Sequence, residues 1–391
     1  MCRFKFMPKM QSKIEKLIAE LCPNGVEFKK LGDVCEVLRG KRLTKKELSD
    51  NDKYPVFHGG IEPLGYYKRY NRKANATMVI NTGSVGEIGY SFVDFWSSDG
   101  TFTIKTSQYV DDRFIYFVLK SQESYLKTQK REGGVPTISR EAVENLKIPL
   151  PPLAVQEEIV KILDNFTALE AELEAELEAR KKQYEYYRST LINSIKGVKQ
   201  VPLSELAQIY DGTHQTPKYT SEGVPFASVE NIKSIYGTKK YISRNDFQKN
   251  YKIRPQIGDL FMTRIGVIGA CAIVDRDDDL AYYVTLTLIR PNKKQILSHF
   301  LRHFIESDTG KRELQKRTLV NAVPIKINLG DIGKIIISVP NIHEQERIAS
   351  ILDKFETLTN DISIGLPAEL KARRQQYEYY RGKLLTFNEV G

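Results

Sequence analysis

The sequence has few cysteines, no long apolar run and no segment rich in proline, serine or glutamine, and each shortage excludes a class of protein. Cys2, Cys22, Cys35 and Cys271 form no Cys-x-x-Cys pair, which argues against a disulfide framework and favours a reducing compartment. The longest nearly apolar run, residues 266–274, is far shorter than the roughly 20 residues of a membrane helix. The N-terminal segment has no apolar run of signal-peptide length. We therefore expect a folded, cytoplasmic protein that makes no membrane contact.

Positive charge exceeds negative charge, with 59 lysines and arginines against 49 acidic residues and a net charge of +10. Acid is concentrated in residues 151–178, where eight acidic residues and one basic residue give −7, so the remainder carries +17. A positive excess of this size indicates a polyanionic partner, most simply nucleic acid. A basic soluble protein without such a partner would have the same composition, so charge alone leaves both interpretations open.

The sequence contains an internal repeat. The hexapeptide Gln-Tyr-Glu-Tyr-Tyr-Arg occurs at residues 183–188 and again at 376–381, and the pattern Gln-Glu-x-Ile with Ile-Leu-Asp occurs at 156–164 and again at 345–353. The offset between copies rises from 189 to 193 residues, so the second copy gains about one helical turn. Weaker echoes pair residues 31–40 with 203–212, and 134–138 with 322–326. Matched frames with different interiors indicate two recognition surfaces presented alike, although ordinary divergence after duplication would give the same pattern.

Each copy ends in a predicted long helix. Residues 153 to about 195 lie between Pro152 and Gly197 without an internal proline or glycine, and their apolar positions recur at coiled-coil spacing. About 40 helical residues make a rod of roughly 60 Å. The second helix is predicted over residues 343 to about 387, with a kink or break at Gly365 and Pro367. Two such apolar stripes would bury each other as an antiparallel pair.

The modules that precede these helices are predicted to mix strands and helices. Strands are expected at residues 77–80, 102–104, 259–263 and 334–339, and helices at 113–127 and 297–305. An amphipathic segment at residues 11–21 comes before the first module. The predicted domains are an N-terminal helical extension at 1–22, a first module at 23–150, a first long helix at 151–196, a second module at 197–339 and a second long helix at 340–391.

Motifs of catalysis are not recognisable. The chain has no phosphate-binding loop, no Asn/Asp-Pro-Pro-Tyr/Phe tetrad of an amino-methyltransferase and no glycine-rich cofactor loop. Glu27-Phe-Lys29 resembles half of a nuclease site but lacks a metal-binding aspartate in the expected relation. His299 and His303 share one face of a predicted helix without a third ligand, so a packed or solvated helix face is the favoured interpretation. Catalytic, cofactor and metal sites in this chain are therefore disfavoured.

Basic residues mixed with aromatic residues and asparagine occur in loops of both modules. Lysine and arginine bind phosphates, while bidentate arginine or asparagine distinguishes bases. Such loops are often merely solvated, and His58 and His214 fit structural capping equally well, but their occurrence in both copies favours DNA binding. The candidate DNA-binding residues are Lys41, Arg42, His58, Lys68, Arg69, Asn71, Arg72, Lys73, Asn81, Ser84, Lys130 and Arg131 in the first module, and His214, Lys218, Asn231, Lys239, Lys240, Arg264, Arg317 and Asn321 in the second.

A family resemblance rests on the repeated helix motifs. A module that ends in Ile-Pro-Leu-Pro-Pro-Leu at residues 148–153, followed by both repeated motifs, resembles the specificity (S) subunit of type I restriction-modification enzymes over essentially the whole chain. The resemblance implies an α+β fold with two target-recognition domains, separated by two long antiparallel coiled-coil helices in a pseudo-twofold repeat. It also implies that each domain binds one half of a bipartite, asymmetric site in double-stranded DNA, with the helices setting the spacer.

The resemblance further implies partner subunits for a chain that is itself non-catalytic and holds no cofactor. Two modification (M) subunits would bind S-adenosylmethionine and methylate adenine, and restriction (R) subunits would use ATP and magnesium. Candidate subunit contacts are Tyr184, Tyr187, Arg188, Tyr377, Tyr380 and Arg381, for which a purely intramolecular role is equally allowed. The four extra residues of the second helix leave the spacer length open. An autonomous nuclease or methyltransferase, and a coiled-coil adaptor without a DNA role, are the alternative hypotheses.

Overall fold

The computed structural model describes residues 7–131, 136–360 and 364–390, with side chains from residue 13 onward. It consists of two compact units. Unit 1 comprises the chain up to Leu173 and again from Leu370, and unit 2 comprises Glu174–Glu369. Each unit therefore contains one module together with parts of the long helices. The predicted mixture of helix and sheet in two repeated domains is confirmed.

The described residues between Met7 and Leu150 form five α-helices and nine strands. These are α1 (Met7–Leu21), β1 (Glu27–Lys30), α2 (Leu31–Val34), β2 (Cys35–Arg39), β3 (Tyr54–Phe57), β4 (Gly65–Tyr67), β5 (Ala76–Ile80), β6 (Ile88–Ser91), β7 (Trp96–Ser97), β8 (Thr101–Thr106), α3 (Asp112–Ser121), α4 (Glu123–Thr128), α5 (Arg140–Glu144) and β9 (Lys147–Leu150). The strands predicted at 77–80 and 102–104 are confirmed. The single helix predicted at 113–127 is wrong, because the chain turns at Gln122, whose side chain donates to the carbonyl of Lys147 (2.9 Å).

The remainder begins with the longest helix of the described chain. Its elements are α6 (Leu153–Asn193), β10 (Lys199–Pro202), α7 (Leu203–Leu206), β11 (Ala207–Asp211), β12 (Tyr219–Thr220), β13 (Val224–Ala227), β14 (Tyr241–Ile242), α8 (Arg244–Asn250), β15 (Leu260–Thr263), β16 (Cys271–Ile273), β17 (Ala281–Tyr282), β18 (Leu286–Pro291), α9 (Ser298–Glu306), α10 (Asp308–Gln315), β19 (Thr318–Leu319), β20 (Lys326–Ile327), α11 (Leu329–Ile332), β21 (Ile336–Val339), α12 (Ile342–Asn360) and α13 (Leu366–Leu385). The predicted strand at 334–339 begins two residues later than expected, after α11, and the helix predicted at 297–305 is α9.

The two units repeat the same sheet. The order β2-β8-β5-β6 in unit 1 matches β11-β18-β15-β16 in unit 2, and all neighbours are antiparallel. Beside each sheet, one short strand pair is parallel, β3 with β7 and β13 with β17. The strand pairs β1-β9 and β10-β21 connect the two ends of each module. The duplication therefore extends through the interior of the modules, and the longer segment between β11 and β15, which contains α8, is where they differ.

One amphipathic helix covers each sheet. In unit 1, Phe114 and Val118 of α3 are buried in the same cluster as Ile104 of the sheet. In unit 2, Phe300 and Phe304 of α9 are buried in an equivalent cluster. The four-residue spacing places each helical pair on one face, one turn apart, so a single apolar stripe fixes the helix on the sheet.

The long helices pack within each unit through aromatic residues. In unit 1, the ring of Phe166 on α6 lies 5.5 Å from that of Tyr380 on α13, and Glu170 accepts a hydrogen bond from Arg374 (2.6 Å). Later residues of α6 thus meet earlier residues of α13, so these two segments are antiparallel within unit 1. In unit 2, Tyr187 of α6 lies 5.4 Å from Phe355 of α12, ring to ring.

The two long helical regions differ in continuity. Helix α6 runs for 41 residues, as predicted for residues 153–195. The second region consists of α12 and α13, and α13 begins at Leu366 between the predicted breakers Gly365 and Pro367. The interruption is therefore confirmed. Cys22, Cys35 and Cys271 carry free thiols, and among the described residues no helix has the combined length and apolarity of a membrane span.

Candidate nucleic-acid interface

In unit 1, the loops that carry the predicted DNA-binding residues meet at one end of the sheet. The C-terminal ends of β2 and β5 and the N-terminal end of β8 lie together because these neighbouring strands are antiparallel. Backbone hydrogen bonds join the loops that follow, from Lys41 to Ser97 (2.9 Å) and from Asn81 to Gly100 (3.1 Å). We call this end of unit 1 the loop end, and we use the same name for the equivalent end of the unit 2 sheet, formed by the C-terminal ends of β11 and β15 and the N-terminal end of β18.

His58, Asn81 and Ser84 are brought together at this loop end. The Nδ1 atom of His58 lies 3.2 Å from a carboxylate oxygen of Asp99, and the Asn81 amide donates to the Asp99 carbonyl (3.2 Å). The backbone N–H of Ser84 donates to Gly59, the residue after His58 (2.9 Å). Since Asn81 is only 6% exposed, it holds these loops together and does not face solvent. Asn81 is therefore better interpreted as a positioning residue than as a base-contacting one.

A second group at the loop end contains Asn71 and Arg72. The Asn71 amide group exchanges two hydrogen bonds with the backbone of Ser97, at 2.7 and 3.0 Å. Arg72 donates to the carbonyl of Arg39 at the end of β2 (2.7 Å). Both side chains are half-buried, so they join the loop that precedes β5 to the end of the sheet.

Seven of the predicted DNA-binding residues of unit 1 are exposed cations. They are Lys41, Arg42, Lys68, Arg69, Lys73, Lys130 and Arg131. The ammonium group of Lys73 lies 4.6 Å from the centre of the Tyr70 ring and donates to its hydroxyl (2.9 Å). The hydrogen bond with Tyr70 and the charge of Asp94 raise the pKa of Lys73, which keeps it cationic at neutral pH. Long, flexible, exposed cations are suited to phosphate contact.

The repeated glycines Gly40 and Gly212 explain one sequence echo between the modules. Each follows the C-terminal end of the equivalent strand, β2 or β11. A Cβ atom on Gly40 would lie 1.8 Å from the Ser98 carbonyl oxygen, and one on Gly212 would lie 2.4 Å from the Tyr283 carbonyl. Only glycine fits at either position, because in both copies another backbone segment passes close to the strand end at the loop end.

In unit 2, the equivalent loops are joined by a buried ion pair. Arg264, at the end of β15, donates to both carboxylate oxygens of Asp211 at 2.8 and 2.9 Å, and to the carbonyl of Ile327 (3.2 Å). Asp211 also lies 2.8 Å from Nε2 of the exposed His214. Arg264 is only 5% exposed, and the prediction that it contacts DNA directly does not fit this position. Nothing in the sequence around Arg264 indicated that it pairs with the distant Asp211.

The other predicted residues of unit 2 differ in their availability. Asn231 accepts a hydrogen bond from the backbone of Ser228 (3.3 Å), and Lys240 is paired with Glu230 (2.9 Å). Arg317 is paired with Glu313 (2.8 Å) and is partly buried. The side chains of His214, Lys218, Lys239 and Asn321 are exposed. These four are the predicted residues of unit 2 that face solvent.

A family model for the type I restriction modification DNA specificity domain matches residues 23–179 and 195–372. The two matches together cover both modules and most of the long helices. The chain belongs to the type I restriction-modification DNA specificity family. The resemblance inferred from the repeated helix motifs is thereby confirmed.

Relatives in this specificity family align over nearly their full length. A Haemophilus influenzae protein named as a type I restriction enzyme specificity subunit is 30% identical over 386 residues, covering 93% of this chain and 96% of the relative. The specificity subunit of an Escherichia coli type I restriction enzyme is 29% identical, covering 93% and 94%. The solved S subunit from M. genitalium has a similar fold, with a TM-score of 0.62 at 17% identity, covering 92% of this chain and 96% of that one.

In this specificity-family chain, the predicted subunit contacts fall into buried and exposed classes. Tyr184 and Arg188 are each 5% exposed and lie inside unit 2, so they are unsuited to a direct external contact. Tyr187, Tyr377 and Tyr380 pack against aromatic residues of the helices, and Arg381 is paired with Glu378. Tyr187 is nevertheless 38% exposed, and the most exposed tyrosines of the hexapeptides are Tyr186 and Tyr379, at 65% and 66%. The nearly equal exposure of these two repeated residues marks them as surface positions that the list of predicted contacts did not include.

His303, Asp353 and Glu356 form a compact group of potential metal ligands whose ligand atoms lie within 4.8 Å of one another. The guanidinium group of Arg302 donates to Asp353 (2.9 Å) and to Glu356 (3.2 Å), so a positive charge already stands between these carboxylates. The group is thus an ion-pair network that fastens α9 to α12. The preference for a packed helix face over a metal site at His303 fits this position.

Proposed function

We propose that this chain gives DNA sequence specificity to a type I restriction-modification complex, with each unit binding one half of a bipartite, asymmetric site. One observation carries the proposal. The loop ends of the two units stand on sheets of identical strand order, yet their side chains differ: unit 1 has His58 beside Asp99 with the exposed cations Lys41 and Arg42, and unit 2 has the Arg264–Asp211–His214 group. Equal scaffolds with unlike loops are suited to reading two different half-sites.

The proposal extends to the partners that the family implies. The long helices would set the spacer between half-sites and dock two modification subunits, which bind S-adenosylmethionine and methylate adenine. Restriction subunits, with ATP and magnesium, would join that complex. This chain would contribute binding and no catalytic step, in keeping with the absence of catalytic motifs from its sequence. The Tyr186 and Tyr379 positions, exposed alike on both hexapeptides, support docking of two copies of one partner.

Mapping methylated adenines in DNA treated with the complex of this chain and its modification subunit tests the proposal. We expect a single bipartite sequence, and binding that weakens steeply with salt because phosphate contacts release counterions. Indiscriminate methylation, or methylation by the isolated chain, would contradict it. Binding that is indifferent to salt would favour the adaptor hypothesis.

Variants at the two ends of one sheet sharpen this test. Arg42→Ala at the loop end of unit 1 should weaken binding to all sequences several-fold and lower the salt slope by about one. Lys105→Ala is the matched control, because Lys105 is exposed on the same sheet at the C-terminal end of β8, away from the loop end. Equal losses for both variants would place the DNA elsewhere on unit 1.

A further inference from the structure

Unit 2 carries a cluster of exposed aliphatic side chains on a short hairpin. Strands β19 and β20 pair Thr318 with Ile327 and Leu319 with Lys326. The turn between them exposes several large apolar residues. Contiguous exposed apolar patches in soluble proteins generally mark binding sites. We call the following five residues the aliphatic tip: Leu319 (44% exposed), Val320 (67%), Val323 (99%), Ile325 (39%) and, on the neighbouring loop, Val267 (61%).

The aliphatic tip is firmly attached to the loop end of unit 2. The backbone of Gly266 donates to Ile325 (2.9 Å), and that of Ile327 donates to Arg264 (3.0 Å). The buried side chain of Arg264 closes the attachment by binding the Ile327 carbonyl and Asp211. The hairpin is therefore held by both backbone and side-chain bonds of the same group that positions His214. A rigid apolar projection loses little conformational entropy on binding.

Unit 1 has an equivalent attachment, with different side chains at the two described positions that precede the turn. Ile138 donates to Asn81 (3.0 Å) as Ile327 donates to Arg264, and Arg131 pairs with Thr137 across the equivalent hairpin. The described residues of that hairpin include the exposed cations Lys130 and Arg131, at positions matching Thr318 and Leu319. At these two described positions, unit 1 therefore has cations where unit 2 has a threonine and a leucine.

The charges around the aliphatic tip select its occupant. Lys326 is exposed at the foot of the hairpin, Lys316 is exposed just before it, and Lys218 and His214 lie on the adjoining loop. An apolar projection in a basic surface matches DNA, whose major groove presents the thymine 5-methyl group among polar base edges.

Resting on the proposed function, we propose that the aliphatic tip reads the second half-site by packing Val320 and Val323 against thymine methyl groups in the major groove. The first half-site would be contacted at the equivalent hairpin by charge. Unit 2 would then recognise an A·T pair through the thymine 5-methyl group, which forms no hydrogen bond. Cytosine lacks this methyl group, so the same contact would distinguish thymine from cytosine at that position.

Uracil substitution isolates the methyl group. Once methylated adenines have defined the site, each thymine of the second half-site is replaced singly by uracil in a synthetic duplex, and binding by the complex with the modification subunit is measured. Loss of one buried methyl group should weaken binding about fourfold at one or two positions. In the Val320→Ala, Val323→Ala double variant, the same uracil substitutions should have little further effect, since the interacting partner is already gone.

The control variant is Val93→Ala, because Val93 is 55% exposed and follows β6, at the end of the unit 1 sheet opposite its loop end. Uniform binding of every uracil duplex by the wild-type complex would overturn the inference, and so would a second half-site without thymine.

Loss of the modification subunit from the double variant on size exclusion would assign the tip to a protein contact instead. A DNA bend that disappears in the double variant, with uracil tolerated, would indicate a wedge in the minor groove. If the complex methylates one bipartite site yet ignores the methyl groups, only this inference fails, whereas methylation without sequence preference contradicts the proposed function itself.

Discussion

In both units, a glutamine and an aspartate of the long helix hold the module. The glutamine makes the same contacts in the two units, whereas the aspartate has different partners. Gln156 accepts a hydrogen bond from the backbone of Asp111 (2.9 Å) and donates to Tyr109 (2.9 Å) and Pro151 (2.7 Å). Its repeat partner Gln345 makes the same three backbone bonds in unit 2, each at 2.9 Å, with Leu297, Gln295 and Pro340. Both glutamines are fully buried. The repeated Gln-Glu-x-Ile motif is thus a structural fastening present in both copies.

The neighbouring repeated aspartates have different partners. Asp164 is bound by Arg113 (2.8 Å), whose guanidinium group lies within 4.9 Å of the ring centres of Tyr90, Phe92 and Tyr116.

In unit 2, Asp353 is instead bound by His299 and His303, each at 2.7 Å, and by Arg302. The long helix keeps its aspartate in both copies, while each module supplies its own cation. Divergence of the modules therefore extends from the loop ends to the surface where each module meets its helix.

Removal of the shared glutamine should give the largest effect and should be equal in the two units. Gln156→Ala or Gln345→Ala removes a fully buried side chain together with its three hydrogen bonds to backbone groups, at a cost of about 3 kcal/mol to the local free energy of unfolding. Hydrogen exchange should report the loss at α3 for Gln156→Ala and at α9 for Gln345→Ala. Gln375→Ala, at an exposed position of α13, is the control and should change little. A much smaller loss in one unit would show that the fastenings are not equivalent.

The second comparison concerns the two arginines that close the repeated hexapeptide. Arg188 is buried over the Tyr184 ring (4.9 Å) and lies 3.5 Å from Glu306, whereas Arg381 is less deeply buried and pairs with the exposed Glu378. Arg188→Met should destabilise unit 2 by about 2 kcal/mol, because Glu306 loses a cation inside the protein. Arg381→Met should cost unit 1 less than about 1 kcal/mol. Unfolding in urea followed by hydrogen exchange separates the two, and equal losses would contradict the assigned difference in burial.

The sequence predicted the frame of the molecule well, because its signals are local. Helix α6 follows from a run without proline or glycine, and the interruption before α13 follows from Gly365 and Pro367. The duplicated domains follow from the repeated motifs, whose buried glutamines and partly exposed aspartates have the same positions in each unit. Such features depend on residues close together in the chain.

The candidate site was predicted less completely, because its contacts join distant residues. Arg264 and Asp211 are 53 positions apart and Asn81 and Asp99 are 18 apart, so nothing local distinguishes these buried anchors from surface groups. The exposed aliphatic residues at 319–325 are the opposite case, since apolar residues in a sequence are ordinarily expected to be buried.

The smallest predicted effect concerns pH, and only unit 2 should show it. With its proton on Nε2, neutral His303 donates to Asp353 and accepts from the Tyr184 hydroxyl (3.4 Å), and burial lowers the pKa of His303. Below about pH 6.5, His303 is protonated in the unfolded chain but stays neutral in the folded unit. The free energy of unfolding of unit 2 therefore falls as the pH decreases from 7.0 to 5.5. The slope for one proton is at most about 1.4 kcal/mol per pH unit.

Two other groups near His303 act at lower pH. Burial alone would raise the pKa of Asp353, but hydrogen bonds from His299 and His303 lower it, so its contribution is present above about pH 4 and is lost only below that. Burial raises the pKa of Glu306, which therefore favours the folded unit as the pH falls toward 4 and opposes the histidine effect there.

Hydrogen exchange corrected for its intrinsic pH dependence should thus show α9 losing protection between pH 7.0 and 5.5 while α3 does not. His303→Gln should abolish the difference, because glutamine keeps a donor toward Asp353 without a titrating group, and parallel losses at α3 and α9 would assign the pH dependence to something other than this buried histidine.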